Sequence, residues 1–110
     1  MSTAKNWQTI CHKQDLVKNS GVCALLQEQQ LAIFLTSDDQ VYSITNWDPA
    51  GKANVLYRGI IGDSEGEIFV ASPLYKERFS LTTGKCLDDE QLSVISYQTR
   101  IQDNQVQVFF

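Results

Sequence analysis

The sequence predicts an all-β fold made of short antiparallel strands. Runs of β-branched, aromatic and other apolar residues recur at roughly ten-residue spacing with polar turns between them, and helices are hard to place. With 110 residues, of which 43% are apolar, the chain can bury one core and is too short for two ordinary domains. We therefore expect one domain, residues 1–110, with an antiparallel β-sandwich or barrel architecture.

The first half of the chain reads as a strand followed by a meander. Residues 7–11 alternate apolar and polar side chains, which suits a half-buried opening strand. Three further strands are predicted at 22–26, 31–35 and 41–45, each followed by a polar break. Cys23 lies in an apolar run, so we expect it in the core.

The second half alternates loops with hairpins. The regular pattern fails over 46–57, where Pro49 bars a central strand, and we predict a first long loop there. The remaining predicted elements are a hairpin of 58–62 with 67–71, a second loop at 72–76, a small hairpin of 78–81 with 85–86 through Thr82-Thr83-Gly84, and a closing hairpin of 95–101 with 106–110 around Asp103-Asn104.

Charge and composition narrow the possible partners and compartment. The net charge is −4 with a pI near 4.7, which gives no electrostatic reason to bind nucleic acid or an anionic membrane. The longest apolar run, 31–35, is far short of the ~20 residues that span a bilayer, and the first residues do not resemble a signal peptide. Three cysteines without C-x-x-C spacing fit a reducing compartment, so we expect a cytoplasmic protein.

The sequence shows no machinery for catalysis by this chain alone. It has one histidine, His12, and no nucleophile elbow, phosphate-binding glycine loop or dinucleotide fingerprint. Binding residues often lie on loops held by a rigid β scaffold, and both irregular loops here are flanked by predicted hairpins. We therefore assign no catalytic residue and look for function in the two loops.

The two loops carry a pattern that resembles Rieske iron–sulfur domains. The Rieske order of C-x-H, L-x-x-G, C-P-x-H, an aromatic residue and T-G maps onto Asn46-Trp47-Asp48, Leu56-Tyr57-Arg58-Gly59, Ser72-Pro73-Leu74-Tyr75, Phe79 and Thr83-Gly84. The resemblance implies a Rieske-like β-sandwich with a small inserted loop-and-hairpin subdomain, residues 46–86.

All four cluster-ligand positions depart from the Rieske pattern. Asn46 and Ser72 stand where the pattern has cysteines, and Asp48 and Tyr75 stand where it has histidines. Amide, hydroxyl, carboxylate and phenol groups are poor substitutes for the thiolates and imidazoles that hold such a cluster. We therefore expect no metal and no cofactor in this chain.

A ligand-less version of this pattern resembles the small subunit of assimilatory NAD(P)H-dependent nitrite reductase. The similar motifs are G-V-x-A-L-L from Gly21, R-G-I-I-G-D from Arg58 and V-A-S-P-L-Y-K-x-R-F-S-L-x-T-G-x-C-L from Val70. The resemblance implies a cytoplasmic oxidoreductase that reduces nitrite to ammonium. It also implies a large partner subunit that carries FAD, sirohaem and an iron–sulfur cluster, while the small subunit carries none of them.

Two other functions stay open from the residues alone. The chain could be an independent electron carrier with an atypical metal centre built from Asp48, Tyr75 and one or more cysteines. It could also be a non-redox interaction module on a Rieske scaffold.

The loops offer several candidate partner-binding residues. Trp47 and Leu74 are apolar residues in polar loops, and they either dock on a partner or form a local loop core. Tyr75 either docks or fills the space of the absent cluster, and we favour filling. Asn46 and Asp48 are expected to brace the loop backbone.

Basic residues are concentrated in the same region. Five of the nine lysines and arginines lie between the first loop and the second small hairpin: Lys52, Arg58, Lys76, Arg78 and Lys85. They form either a partner-facing patch or an ordinary solvated surface with internal pairing to Asp48 or Glu77. Of these, we take Lys52, Arg58 and Lys76 as partner-binding candidates.

Overall fold

The strand pattern accounts for most of the structure. A computed structural model describes residues 5–110, in which the backbone forms strands and two short 3-10 helices, Lys13–Asp15 and Leu56–Arg58. The strands are β1 Trp7–His12, β2 Ser20–Leu26, β3 Gln29–Leu35, β4 Val41–Thr45, β5 Trp47–Asp48, β6 Ala53–Asn54, β7 Ile60–Ser64, β8 Glu67–Ala71, β9 Arg78–Ser80, β10 Ser96–Tyr97, β11 Thr99–Gln102 and β12 Gln105–Phe109. All pairs of these strands are antiparallel, which confirms the predicted all-β class.

Two sheets pack face to face to form the base of the molecule. One has the order β1-β12-β11 and the other β10-β4-β3-β2. Alternate residues of a strand point to opposite faces, so Leu31, Ile33 and Leu35 of β3 meet Val106 and Val108 of β12 in the first core. Hydrophobic burial between the sheets therefore fixes the frame on which the loops are carried.

A second core joins the opposite face of β3 to the loop region. Ala32 and Phe34 of β3 are fully buried there against Leu56, Val70 and Phe79. Val70 and Phe79 belong to the three-stranded sheet β7-β8-β9. Because β3 is buried on both faces, its sequence is a continuous apolar run, and the loop region rests on a packed surface.

The turns follow the residue types that the sequence offers. Asp103 and Asn104 both have positive φ, 54° and 62°, as a two-residue type I′ hairpin turn requires, which confirms the predicted turn. Gly84 has φ of 82°, and a Cβ built on it would lie 2.0 Å from the carbonyl oxygen of Val94. Only glycine fits this position without displacing the backbone, which confirms the predicted Thr83-Gly84 turn.

Two local predictions are wrong. The first loop contains a small hairpin, in which β5 pairs with β6 and Pro49 lies in the turn between them, where its missing N–H costs nothing. Cys23 is exposed and lies outside the core, because β2 is an edge strand of its sheet. The helices between residues 5 and 110 are the two three-residue 3-10 helices, and neither could span a membrane.

Candidate functional site

The candidate site consists of the first loop, 46–57, and the second loop, 72–77, which lie together above the second core. Asn46 begins the first loop and is fully buried. Its backbone N–H donates to the carbonyl oxygen of Gln30 at 3.1 Å, and its side-chain Oδ1 accepts from the backbone N–H of Tyr57 at 2.9 Å. Asn46 thus ties both ends of the first loop to β3, as the bracing interpretation expects.

A buried carboxylate joins the two loops. Asp48 is fully buried, and its Oδ1 accepts from the backbone N–H of Ala50 at 2.9 Å. Its Oδ2 accepts a hydrogen bond from the hydroxyl of Ser72, which is 1% exposed. A buried carboxylate is costly unless hydrogen bonds satisfy it, so these two donors make Asp48 a cross-link between the loops.

Ser72 also organises the second loop, a role that its residue type alone did not reveal. Its hydroxyl accepts from the backbone N–H of Leu74 at 3.2 Å, and its carbonyl oxygen accepts from the backbone N–H of Lys76 at 3.0 Å. The sequence shows Ser72 only as a replacement for a ligand cysteine. One feature of the sequence could have predicted this role. The Rieske pattern brings its ligand positions together, and two of them hold a hydroxyl, Ser72, and a carboxylate, Asp48, which can form a hydrogen bond.

Three apolar side chains are exposed on the two loops. Trp47 is 43% exposed, Leu74 46% and Tyr75 66%. Leu74 also contacts Gly51 in the first loop: a Cβ built on Gly51 would lie 2.4 Å from a methyl carbon of Leu74. Leu74 therefore partly covers the turn of the first loop. With Lys52 and Lys76, both exposed, these residues form what we call the loop surface.

The interpretation of Tyr75 as a filler of the cluster space is wrong. The Asp48–Ser72 pair and Leu74 occupy the space between the loops, and the turn at 73–75 carries the Tyr75 ring outward. Lys76 closes that turn with a left-handed φ of 65°. An exposed aromatic ring at a loop tip is available for contact with another molecule.

The five basic residues of this region do not all join the loop surface. Arg58 lies over the ring of Tyr57, with its Cζ 5.5 Å from the ring centroid, and its Nε donates to the Tyr57 hydroxyl at 2.9 Å. Tyr57 packs through its carbonyl oxygen against Gly21 of β2. Both contacts of Arg58 are therefore with Tyr57, which lies beside the sheet and away from the loop tips.

Arg78 forms a salt bridge with Asp88, whereas the sequence analysis considered Asp48 and Glu77 as the internal partners of the basic residues. Its Nη2 lies 2.7 Å from Oδ1 of Asp88, and its Nε and backbone N–H also bond that carboxylate. These hydrogen bonds lower the pKa of Asp88 below its usual value and raise that of Arg78. Lys52, Arg58, Lys76 and Lys85 form no salt bridge with any residue from 5 to 110.

Comparison with known proteins identifies similar sequences across nearly the whole chain. The profile of the Rieske-like [2Fe-2S] domain family matches residues 6–109. The nitrite reductase (NADH) small subunit of Escherichia coli (strain K12) is 48% identical over 103 residues, which cover 93% of this chain and 95% of that protein. The nuclear magnetic resonance structure of the E. coli protein NirD has a TM-score of 0.85 at 47% identity and covers 94% of this chain and 96% of that one.

A longer relative contains a similar domain. The nitrite reductase [NAD(P)H] large subunit of Klebsiella oxytoca is 38% identical over 105 residues, covering 96% of this chain and 11% of that protein. A domain similar to this chain therefore occurs there within a much larger polypeptide.

The residues at the four ligand positions do not fit a [2Fe–2S] cluster. Three of the four, Asn46, Asp48 and Ser72, are buried and bonded to protein groups, and the Tyr75 ring turns outward. Their oxygen and amide groups are not the soft donors that iron–sulfur clusters require. In the part of the chain that the structure describes, no three His, Cys, Asp or Glu side chains come together in a group that could hold a metal ion.

Proposed function

This chain belongs to the Rieske-like [2Fe-2S] domain family, and we propose that it is the small subunit of an NAD(P)H-dependent nitrite reductase, which supports reduction of nitrite to ammonium. The observation that carries the proposal is the 48% identity to the E. coli small subunit, which extends over nearly the full length of both chains. As a subunit of this enzyme the chain is part of an oxidoreductase, and it is not catalytic alone.

The partner that we propose is a large subunit carrying FAD, sirohaem and an iron–sulfur cluster, in the cytoplasm. Association with such a subunit is supported by the K. oxytoca relative, whose large subunit contains a similar domain within one polypeptide. Two proteins that occur fused in one organism commonly contact each other when separate. The buried network of Asn46, Asp48 and Ser72 further supports a role in which the electrons travel through cofactors of the partner.

We propose that the loop surface makes the contact with the large subunit. Trp47, Leu74 and Tyr75 expose apolar area on loops fixed from below by buried hydrogen bonds, so little ordering entropy is lost when they bind. Lys52 and Lys76 have no acidic partner within residues 5–110, and they are free to pair with carboxylates across an interface. Arg58, held against Tyr57, would lie at the rim of such a contact.

Co-purification tests this proposal. The chain and the large subunit encoded in the same organism are expressed together, and the chain alone carries an affinity tag. We expect the large subunit to elute with the tagged chain in a fixed ratio, whereas tagged chain with Trp47→Glu and Leu74→Glu retains much less of it. If the large subunit is never retained with the tagged chain and appears only in the flow-through, even at low salt concentration, the proposed function is refuted.

A further inference from the structure

The outer edge of β2 carries backbone groups without partners. The hydrogen bonds that β3 forms with its two neighbours, β4 and β2, show which residues of β2 have these free backbone groups. The backbone N–H of Asn46 donates to Gln30 and that of Thr36 to Gln40, so even-numbered residues of β3 bond toward β4. Odd-numbered residues of β3 therefore bond toward β2, and their opposite residues there are Ser20, Val22, Ala24 and Leu26.

The turn between β2 and β3 gives the same assignment independently. Gln27 and Glu28 have φ of 50° and 67°, as in a two-residue type I′ hairpin turn, whose flanking residues Leu26 and Gln29 form a hydrogen-bonded pair. Hydrogen-bonded residues alternate along an antiparallel strand, so Leu26, Ala24, Val22 and Ser20 bond β3. The residues between them, Gly21, Cys23 and Leu25, direct their N–H and C=O groups away from β3. Within the described part of the chain, no backbone hydrogen bond reaches these groups.

This edge lacks the usual protection against strand pairing. Edge strands are normally short, charged, bulged or interrupted by proline. β2 is seven residues long and has the sequence Ser-Gly-Val-Cys-Ala-Leu-Leu, without a charge or a proline. Leu25 is 71% exposed and Cys23 is exposed beside it on the same face.

We propose that the β2 edge pairs with the β2 edge of a second copy of this chain, antiparallel and with the two-fold axis at Cys23. In this register Cys23 lies opposite Cys23 of the second copy, and Gly21 lies opposite its Leu25. Each of these is a pair of outward-directed residues, so the unpartnered N–H and C=O groups of both copies are satisfied together. The two four-stranded sheets become one continuous sheet.

Side chains and charges are complementary in the same register. The exposed side chain of Leu25 lies on the same face of the joined sheet as Gly21 of the second copy, beside the Phe34 ring and the Tyr57 carbonyl oxygen that lie above Gly21. Lys18 and Glu28 are equidistant from Cys23 along the sequence, so the turn carrying Glu28 in one copy approaches Lys18 of the other. Lys18 and Lys13 share the single carboxylate of Asp39 at 3.4 and 3.5 Å, which leaves positive charge available to Glu28.

The thiol of Cys23 provides a geometric test. Cα atoms of a hydrogen-bonded antiparallel pair are about 5.5 Å apart, which is within the range of a disulfide. Diamide takes two electrons and two protons from a pair of thiols and is itself reduced to a hydrazine. We expect diamide to convert the purified chain to a covalent dimer, Cys23→Ser to abolish this product, and Cys11→Ser to leave it unchanged.

Sedimentation equilibrium over a concentration series tests the dimer without cross-linking. The mass should rise from 12.4 kDa toward twice that value, and Leu25→Lys should weaken dimerisation by about tenfold or more because it places a charge against the second copy. Ile60→Lys, at a residue 76% exposed elsewhere, should leave the mass unchanged. A mass of 12.4 kDa at all concentrations, or a dimer indifferent to Leu25→Lys, would overturn the proposal.

A different partner for this edge is also distinguishable. If the chain alone stays monomeric and Leu25→Lys instead weakens its co-purification with the large subunit, the edge binds that subunit and the two-fold dimer is wrong. Failure of the proposed function, by contrast, leaves the dimer measurement unaffected, because that measurement uses this chain alone.

Discussion

At the scale of single residues, hydrogen bonds at three of the four Rieske ligand positions, Asn46, Asp48 and Ser72, hold the two loops. The sequence identified Asn46, Asp48 and Ser72 as the positions to examine and indicated bracing for the first two. It did not show that the hydroxyl of Ser72 bonds the carboxylate of Asp48, because residues 24 positions apart meet only through the fold. It also misplaced Tyr75, since nothing in its residue type tells whether the ring turns inward or outward.

Removing the Ser72 hydroxyl tests whether the pair stabilises the loops. Ser72→Ala leaves the buried Asp48 carboxylate without one of its two donors, so we expect a loss of about 1–3 kcal/mol in the free energy of unfolding. Ser93→Ala, at an exposed serine, is the control and should change it by less than about 0.5 kcal/mol. Urea unfolding measures both, and equal stabilities would show that the pair contributes nothing.

At the scale of elements, strands and their turns were largely predictable and irregular segments were not. Alternating apolar residues located β1 and β12, short runs of strand-forming residues located β3 and β4, and Asp103-Asn104 located the last turn, because these signals are local. The β5–β6 hairpin was missed since two-residue strands carry no periodicity. Cys23 was misplaced because an edge strand has the same apolar sequence as a central one until its neighbours are known.

Substitutions at two glycines distinguish the effect of backbone conformation on folding stability from the effect of crowding. Gly66 and Gly84 have nearly equal φ, 84° and 82°, but nothing lies within 4 Å of a Cβ on Gly66, whereas a Cβ on Gly84 meets the Val94 carbonyl. Gly66→Ala should therefore cost about 1–2 kcal/mol of folding stability. Gly84→Ala should cost at least ~1 kcal/mol more, since the backbone must move. Thermal unfolding gives both values, and similar losses would contradict the packing of this turn.

The ion pair between Arg78 and Asp88 links β9 to the acidic segment at 88–90 and predicts a pH effect. Hydrogen bonds from Arg78 hold the pKa of Asp88 below its usual 3.8. The stabilising contribution is therefore complete above that usual value and is lost as the pH falls through the lower pKa of the folded state. It is small because the pair is exposed.

Urea midpoints at about pH 6 and about pH 3 measure this effect. Wild type should lose more stability between the two pH values than Asp88→Asn, which lacks the titrating group. The exposed Glu90→Gln variant should behave as wild type. An identical pH dependence of wild type and Asp88→Asn would contradict the assignment.

At the scale of the whole molecule, the Rieske-like frame is retained while its ligand positions are used to hold the loops. The order of motifs in the sequence was sufficient to identify the family, because each motif marks a fixed place in the fold. The residues of the proposed partner-binding surface could not be predicted in the same way, since the exposure of each side chain depends on how the loops pack. The assignment of residues 1–110 to one domain, with 46–86 as a subdomain, stays a prediction.

Truncating the apolar part of the loop surface should affect association and not folding. Trp47→Ala with Leu74→Ala is expected to raise the dissociation constant for the large subunit by about tenfold or more, because apolar anchors dominate interface energy. Unfolding temperature should change little, since both residues are 43% exposed or more. Val17→Ala with Ile95→Ala is the matched control, and equal affinities for the two double variants would show that another face binds.

Adding this chain back to its large subunit tests the proposed function most directly. The rate of nitrite-dependent NAD(P)H oxidation by the purified large subunit is measured with and without the chain, whose iron content is determined beforehand. We predict that iron-free chain raises the rate until an equimolar amount is present. An unchanged rate, or stimulation only by fractions that contain iron, would contradict the proposed role as a cluster-free subunit of the reductase.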